Sequence, residues 1–175
     1  MTKPKLLWCG DIVAMTGFAR VTENVLSRLQ EQYEIVVLSH NWWGDPTPLQ
    51  SKYKMYPSSN RFQTAPFGED RIREVVEKEK PDIVFTINDM WIINEQYKRI
   101  KDLHDQKLFK FVGYAPMDSY GWTGCLDETA NNWDGVVSYT EFGAHEFIQG
   151  GIKKPITIIP HGITSNQFYP IDKSE

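Results

Sequence analysis

Apolar residues in this chain gather in short runs, and between the runs they recur every three or four positions. Lys5 to Cys9 is a first strand, closed by Gly10 and a turn-rich stretch that lasts to Gly17. From Phe18 onward, Phe18, Val21, Val25 and Leu29 share one helical face, and Arg20, Glu23, Arg28 and Gln30 are left to solvent. Thr16 stands where it can cap that helix. Ile35 to Leu38 is apolar on both faces, the pattern of a parallel strand buried between helix layers. Glu69 and Asp70 open a second helix, with Ile72, Val75 and Val76 inward and Pro81 at its end. Ile83 to Ile87 is the next buried strand, followed by a helix with Ile93, Tyr97, Ile100 and Leu103 on one face. Further strands are expected at Phe109 to Tyr114, Gly135 to Tyr139 and Ile156 to Ile159. The stretch from Asn41 to Pro66 is less regular, with a strand candidate at Lys52 to Tyr56. Strand and helix in alternation mean βαβ units, and so an α/β, Rossmann-like, doubly wound, mostly parallel sheet.

Composition narrows the class without changing it. With 175 residues, 41% hydrophobic and 24% charged, the chain suits one globular domain. A net charge of -4 without a run of Lys or Arg excludes a nucleic-acid surface. The first apolar run is short and Asp11 soon interrupts it, so it reads as a strand and a cytoplasmic location is expected. Cys9 and Cys125 make no paired-cysteine motif, and His40, His104, His145 and His161 show no helical pairing, so no metal site is expected. No nucleophile-elbow motif supports a serine hydrolase.

Ligands of a doubly wound sheet bind beyond the carboxyl ends of its strands, so those ends carry the functional signal. They read Gly10-Asp11 with Thr16-Gly17-Phe18, then Ser39-His40-Asn41-Trp42-Trp43, then Asn88-Asp89-Met90-Trp91, then Ala115 to Trp122. Hydrogen-bonding groups beside large flat rings recur at each end, and aromatic residues make up 13% of the chain. Sugars offer apolar faces and hydroxyl edges, so the mixture suits a carbohydrate or nucleotide-sugar cleft. The loop before the first helix has neither the dinucleotide glycine fingerprint nor a P-loop. Gly17 is either a helix N-terminus open to an anion such as a diphosphate or a simple turn glycine. Asp118 is either a substrate-positioning carboxylate or a helix cap.

The end of the chain is more specific. Ile156 to Ile163 closes a domain on a buried strand with Pro160-His161-Gly162, and Phe168-Tyr169-Pro170 follows. With Gly17-Phe18-Ala19-Arg20, Lys80-Pro81-Asp82-Ile83-Val84, Tyr114 to Asp118 and Trp133 to Ser138 before Thr140-Glu141-Phe142-Gly143, the chain resembles the retaining GT-B glycosyltransferases of family four.

That resemblance implies an N-terminal, acceptor-side domain over residues 1–163 and the start of an interdomain linker over 164–175. It implies a metal-independent hexosyl transfer with a nucleotide-diphosphate sugar as donor substrate and no further cofactor. The partner would be a C-terminal domain or subunit that binds the donor and carries paired glutamates, and the acceptor a sugar, glycan or lipid. The chain ends where that domain would begin, so a split subunit or a fragment is expected. Asp118 would be the catalytic-site carboxylate, where the family often has a His nearby. Gly17 would approach the donor phosphates, and Arg20 would add charge there or face solvent. Phe18, Asn88, Asp89, Trp91, Met117, Tyr139 and Thr140 would complete the substrate site. Trp42, Trp43, Trp122 and His161 to Pro170 would form an uncovered rim prone to self-association or to capture of the second half. The rival readings are a non-enzymatic, flavodoxin-like module that binds a sugar or nucleotide, and another Rossmann enzyme such as a sugar-nucleotide epimerase.

Overall fold

The computed structural model describes residues 2–59, 65–121, 127–163 and 169–171. In chain order its elements are β1 (Lys5–Gly10), α1 (Gly17–Leu29), β2 (Glu34–Ser39), β3 (Lys54–Pro57), α2 (Ile72–Glu79) and β4 (Ile83–Ile87). They continue with α3 (Met90–Asp105), β5 (Lys110–Ala115), α4 (Asp127–Ala130), β6 (Gly135–Ser138), α5 (Glu141–Gln149) and β7 (Ile156–Ile158). The strands form one seven-stranded sheet in the order β3-β2-β1-β4-β5-β6-β7. Every pairing is parallel, so the sheet is wholly parallel among the described residues.

The alternation of side chains along each strand divides the core in two. On one face Leu6, Trp8, Ile35 and Val37 meet the apolar stripe of α1, with Leu26 fully buried. On the other face Leu7, Cys9, Val36, Leu38, Val84 and Phe111 meet α2, α3 and α5 through Val75, Ile93, Tyr97, Ile100 and Phe147. The α1 face is the thinner layer: Ile83, Phe85 and Val112 pack against its core but stay partly exposed. Thr16 caps α1 as the sequence requires, its hydroxyl accepting from Ala19 N–H at 3.1 Å.

Four expectations are corrected. The second helix begins at Ile72, because Glu69 and Asp70 lie in a turn in which the Gly68 carbonyl accepts from Arg71 and Ile72 N–H. The irregular stretch gives its strand at Lys54–Pro57, as an edge pairing only with β2. The closing strand is an exposed edge rather than a buried one, since β7 has only β6 beside it and Ile158 is 42% exposed. Trp42 is core, 3% exposed, with its indole N–H on the Asp45 carbonyl, whereas Trp43 is 46% exposed. Ile163, Tyr169 and Ile171 are exposed; Trp122, Cys125 and residues 164–168 lie outside the described residues.

Close packing makes one glycine critical. Trp133 is fully buried against Phe111, ring centroids 5.4 Å apart, and lies over Gly113 of β5. A Cβ at Gly113 would sit 2.3 Å from the indole. Alanine would ordinarily favour a strand over glycine by up to about 1 kcal/mol, but the clash dominates. We expect Gly113→Ala to destabilise the fold by about 1–3 kcal/mol in denaturant unfolding. An unchanged midpoint would show that Trp133 moves aside freely.

Candidate functional site

From β1 the chain builds outward through β2 to β3, then returns to lay β4 on the opposite side of β1. The connections leaving β1 and β4 therefore diverge, and ligands bind at such a reversal of strand order. A cleft of about 500 Å³ opens there. Asp11, Thr16, Gly17 and Phe18 line it after β1, Asn41 after β2, and Asn88, Asp89, Trp91 and Ile92 after β4. Phe67, Tyr139 and His161 complete the wall.

Its floor is a closed polar network. Buried Asp11 accepts from the Thr16 hydroxyl at 2.7 Å and from the Asn41 side-chain N–H at 2.8 Å. Asn41 holds a left-handed backbone, φ 51°, and its N–H donates to the Pro66 carbonyl at 2.7 Å. One carboxylate thus ties the ends of β1 and β2 to the start of α1. Above it Gly17 is open: a Cβ there would meet nothing within 4 Å, and its φ is not in the left-handed region.

Behind the cleft lies His40, fully buried. One ring nitrogen, Nδ1, is 2.9 Å from the Asn88 side-chain amide, and Nε2 is 2.8 Å from that of Gln96. Burial pushes the imidazole down to about 3, so it is neutral at physiological pH. Asn88 also accepts the Asp89 backbone N–H through Oδ1 at 2.8 Å, and Gln96 donates to the Phe67 carbonyl.

The walls are aromatic. Phe67 and Trp91 meet edge to face with centroids 5.7 Å apart, and Trp91 is 51% exposed. On the far side Tyr139 packs between Tyr114, at 4.4 Å, and His161, at 4.1 Å. His161 arrives there because the chain after β7 is pinned: Ile159 N–H donates to the Ser138 carbonyl at 2.9 Å, and the Tyr114 hydroxyl donates to the Ile159 carbonyl. Burial raises the Tyr139 phenol, with Tyr114 and Asp89 adding to it, and lowers His161. The Tyr139 hydroxyl oxygen is buried without a hydrogen-bond partner among the described residues. Asp89 is raised by burial and by the negative charge of Asp118. Among the described residues the lining includes two carboxylates and no Lys or Arg.

Of the residues assigned to substrate from the sequence, Gly17, Phe18, Asn88, Asp89, Trp91 and Tyr139 lie together in this lining. Arg20 is on the exposed side of α1, and Met117 packs against the core beside α5. Thr140 caps α5, its hydroxyl accepting from Gly143 N–H at 3.0 Å. Asp118 is exposed outside the lining, and its charge is felt at Asp89. Asp11 and Asn41 were legible as polar residues directly after strands but lacked a motif; Phe67 carried no signal.

A second hollow lies at the opposite end of the sheet, and Asp134 in its lining has both a lysine and a histidine beside it. His104 and Lys110 sit 2.7 Å and 2.8 Å from Asp134, and Tyr97 is 2.8 Å from His104. Burial would raise Asp134, but Lys110, the Phe111 N–H and His104 outweigh it and hold the carboxyl at about 2. No group of His, Cys, Asp and Glu among the described residues gathers to hold a metal, and no described helix is long and apolar enough to cross a membrane.

An open cleft at the strand-order reversal of a parallel α/β sheet, walled by rings and hydrogen-bonding groups, marks a Rossmann-like domain with a candidate ligand site. The family model described as Glycosyltransferase Family 4 matches residues 15–167, and the chain belongs to that family. It is a glycosyltransferase module with the α/β form of a GT-B N-terminal domain. No curated relative matches the chain.

The buried imidazole has a consequence for acid stability. Its folded-state value lies below the ordinary 6.5, so the unfolded chain takes up a proton that the folded one refuses. Stability from this group is present above pH 6.5 and falls as pH drops toward about 3. Between pH 7 and pH 5 we expect the native chain to lose about 2 kcal/mol more than His40→Gln does, read by urea unfolding at each pH. Equal losses would mean that His40 is protonated in the fold.

Proposed function

We propose that this chain is the acceptor-binding half of a nucleotide-sugar-dependent, retaining glycosyltransferase, working with a donor-binding half across the cleft. Membership of the family supports the transfer chemistry. The observation that carries the division of labour is the electrostatics of the cleft. A diphosphate needs cations or several backbone N–H groups, yet the described lining supplies Asp11, Asp89 and a neutral-leaning His161. The first N–H groups of α1, at Gly17 and Phe18, have no acceptor within the helix and form an edge that a donor phosphate can touch. They do not make a complete diphosphate site.

A hydroxylated acceptor fits better. Its apolar face stacks in the Phe67–Trp91 corner, and its hydroxyls meet Asn88 and Asp89. Asp118, beside Asp89 in charge, holds an acceptor or donor-sugar hydroxyl near the reaction centre. In the transfer itself the acceptor oxygen bonds to the anomeric carbon while the bond from that carbon to the diphosphate breaks. The diphosphate leaves with the electron pair, and the acceptor proton passes to a base.

Gly17 separates this reading from a structural one. Neither a left-handed backbone nor a tight neighbour calls for glycine there, and the space a Cβ would take lies open toward the cleft. Gly17→Ala should leave the melting temperature unchanged or raise it slightly, while lowering turnover about tenfold or more in the assembled enzyme. Trp91→Ala should weaken acceptor binding about tenfold with little change in melting temperature. The chain alone should transfer no sugar from a nucleotide-sugar panel and should do so once a matching C-terminal half is supplied. Robust transfer by the chain alone would refute the division of labour. Sugar binding without turnover in any combination would favour a non-enzymatic module.

A further inference from the structure

The cleft has two kinds of wall. One is a hydrogen-bonding wall at Asn88, and the other is a stacking wall at Phe67 and Trp91. Asn88 and Trp91 both follow β4, but Phe67, which completes the stacking corner, lies before α2 in a different part of the chain. A ligand bound by both needs them held at a fixed separation, and surface loops alone hold such geometry poorly.

His40 touches the supports of both. It is the residue directly after β2, with its N–H on the Gly10 carbonyl at 3.0 Å, so its backbone is tied to the end of β1. Its side chain is fully buried and does not line the cleft. Through Nδ1 it reaches the Asn88 amide, 2.9 Å away. Through Nε2 it reaches the Gln96 amide, 2.8 Å away, and Gln96 in turn donates to the Phe67 carbonyl. The imidazole also meets the Phe67 ring edge to face, with centroids 6.0 Å apart, and Phe67 meets Trp91 in the same manner. A neutral imidazole has a single lone pair, so it accepts from one of the two amide N–H groups and packs closely against the other, with the Phe67 ring at its edge. Buried polar groups are costly when unpaired, which holds the three side chains together as a unit.

We propose that His40 is the positioning residue of the cleft. One buried imidazole sets the orientation of Asn88 and, through Gln96, the position of the Phe67–Trp91 corner, so the two walls form one rigid ligand gauge. The geometric part stands on the contacts alone, whereas its service to a sugar rests on the acceptor-cleft reading.

The two ring nitrogens can be removed one at a time. Asparagine reaches about as far as Nδ1 and glutamine about as far as Nε2. His40→Asn should therefore keep the Asn88 contact and lose the Gln96 contact, and His40→Gln should do the reverse. In ligand-free NMR spectra we expect His40→Asn to shift the Trp91 indole N–H and spare the Asn88 side-chain amide. His40→Gln should shift the Asn88 amide and spare the Trp91 indole. A merely structural role would lower the melting temperature in both variants without this division, and that outcome overturns the proposal, as does a spectrum in which neither signal moves. With maltotriose as the probe, each variant should bind about three- to tenfold more weakly than the native chain. Divided NMR shifts with unchanged maltotriose affinity would overturn the positioning role. Failure of the native chain to bind maltotriose would count against the acceptor-cleft reading, while the ligand-free spectra still decide whether His40 sets both walls.

Discussion

Neighbouring parallel strands cannot be joined by a hairpin, so every connection in this sheet must cross from the bottom edge back to the top. Such crossovers keep one hand, which forces α1 and the later helices onto opposite faces once the chain reverses its direction of growth. The reversal occurs between β1 and β4, at the middle of the sheet. Gly10 allows it at close range: a Cβ on this last residue of β1 would lie 2.6 Å from the Ile87 side chain of β4 and 3.1 Å from the Trp8 indole nitrogen. The cleft is the space left where the two outgoing connections part. Its position follows from the topology, and its chemistry follows from the residues at the strand ends.

The two ends of the sheet are electrostatically unlike. At the amino ends of the strands, charges are consumed by one another: buried Glu79 is met by Lys54 at 2.7 Å, Lys5 at 3.5 Å and the Tyr56 hydroxyl, and Asp134 is met by Lys110 and His104. Those groups stabilise the fold and offer little to a ligand. At the carboxyl ends Asp89 faces the negative charge of Asp118, and the Tyr139 hydroxyl is buried without a partner among the described residues. Unsatisfied polar groups beside exposed rings are a poor arrangement for stability and a good one for binding a hydroxylated ring.

Much of this was legible in the sequence because parallel strands and amphipathic helices leave strong periodic signals. Ile83 to Ile87 reads as a strand and is one; the buried face of α3 is the one its apolar spacing marks. The family resemblance was also readable, since its pieces occur in order over most of the chain. What could not be read was lateral. Nothing in the spacing says that β7 lies at an edge, so its apolar run looks like a buried strand although its residues are largely exposed. Trp42 and Trp43 are adjacent and chemically alike, and only tertiary packing sends one inward and the other out. Asp11, Asn41 and Phe67 meet across three separate connections, a proximity that no local pattern encodes. His40 stood out as a histidine at a strand end, yet its role comes from Asn88 and Gln96, which are 48 and 56 residues away.

The central claim is that the crevice between β1 and β4 is where this module meets a sugar. Backbone amide chemical-shift mapping during titration with a neutral hexose oligosaccharide tests it most directly. The account predicts shifts concentrated at Gly17, Phe18, Asn88, Trp91 and Tyr139, with residues around His104 and Asp134 unmoved. Shifts centred on that opposite end of the sheet, with the β1–β4 crevice silent, would contradict it.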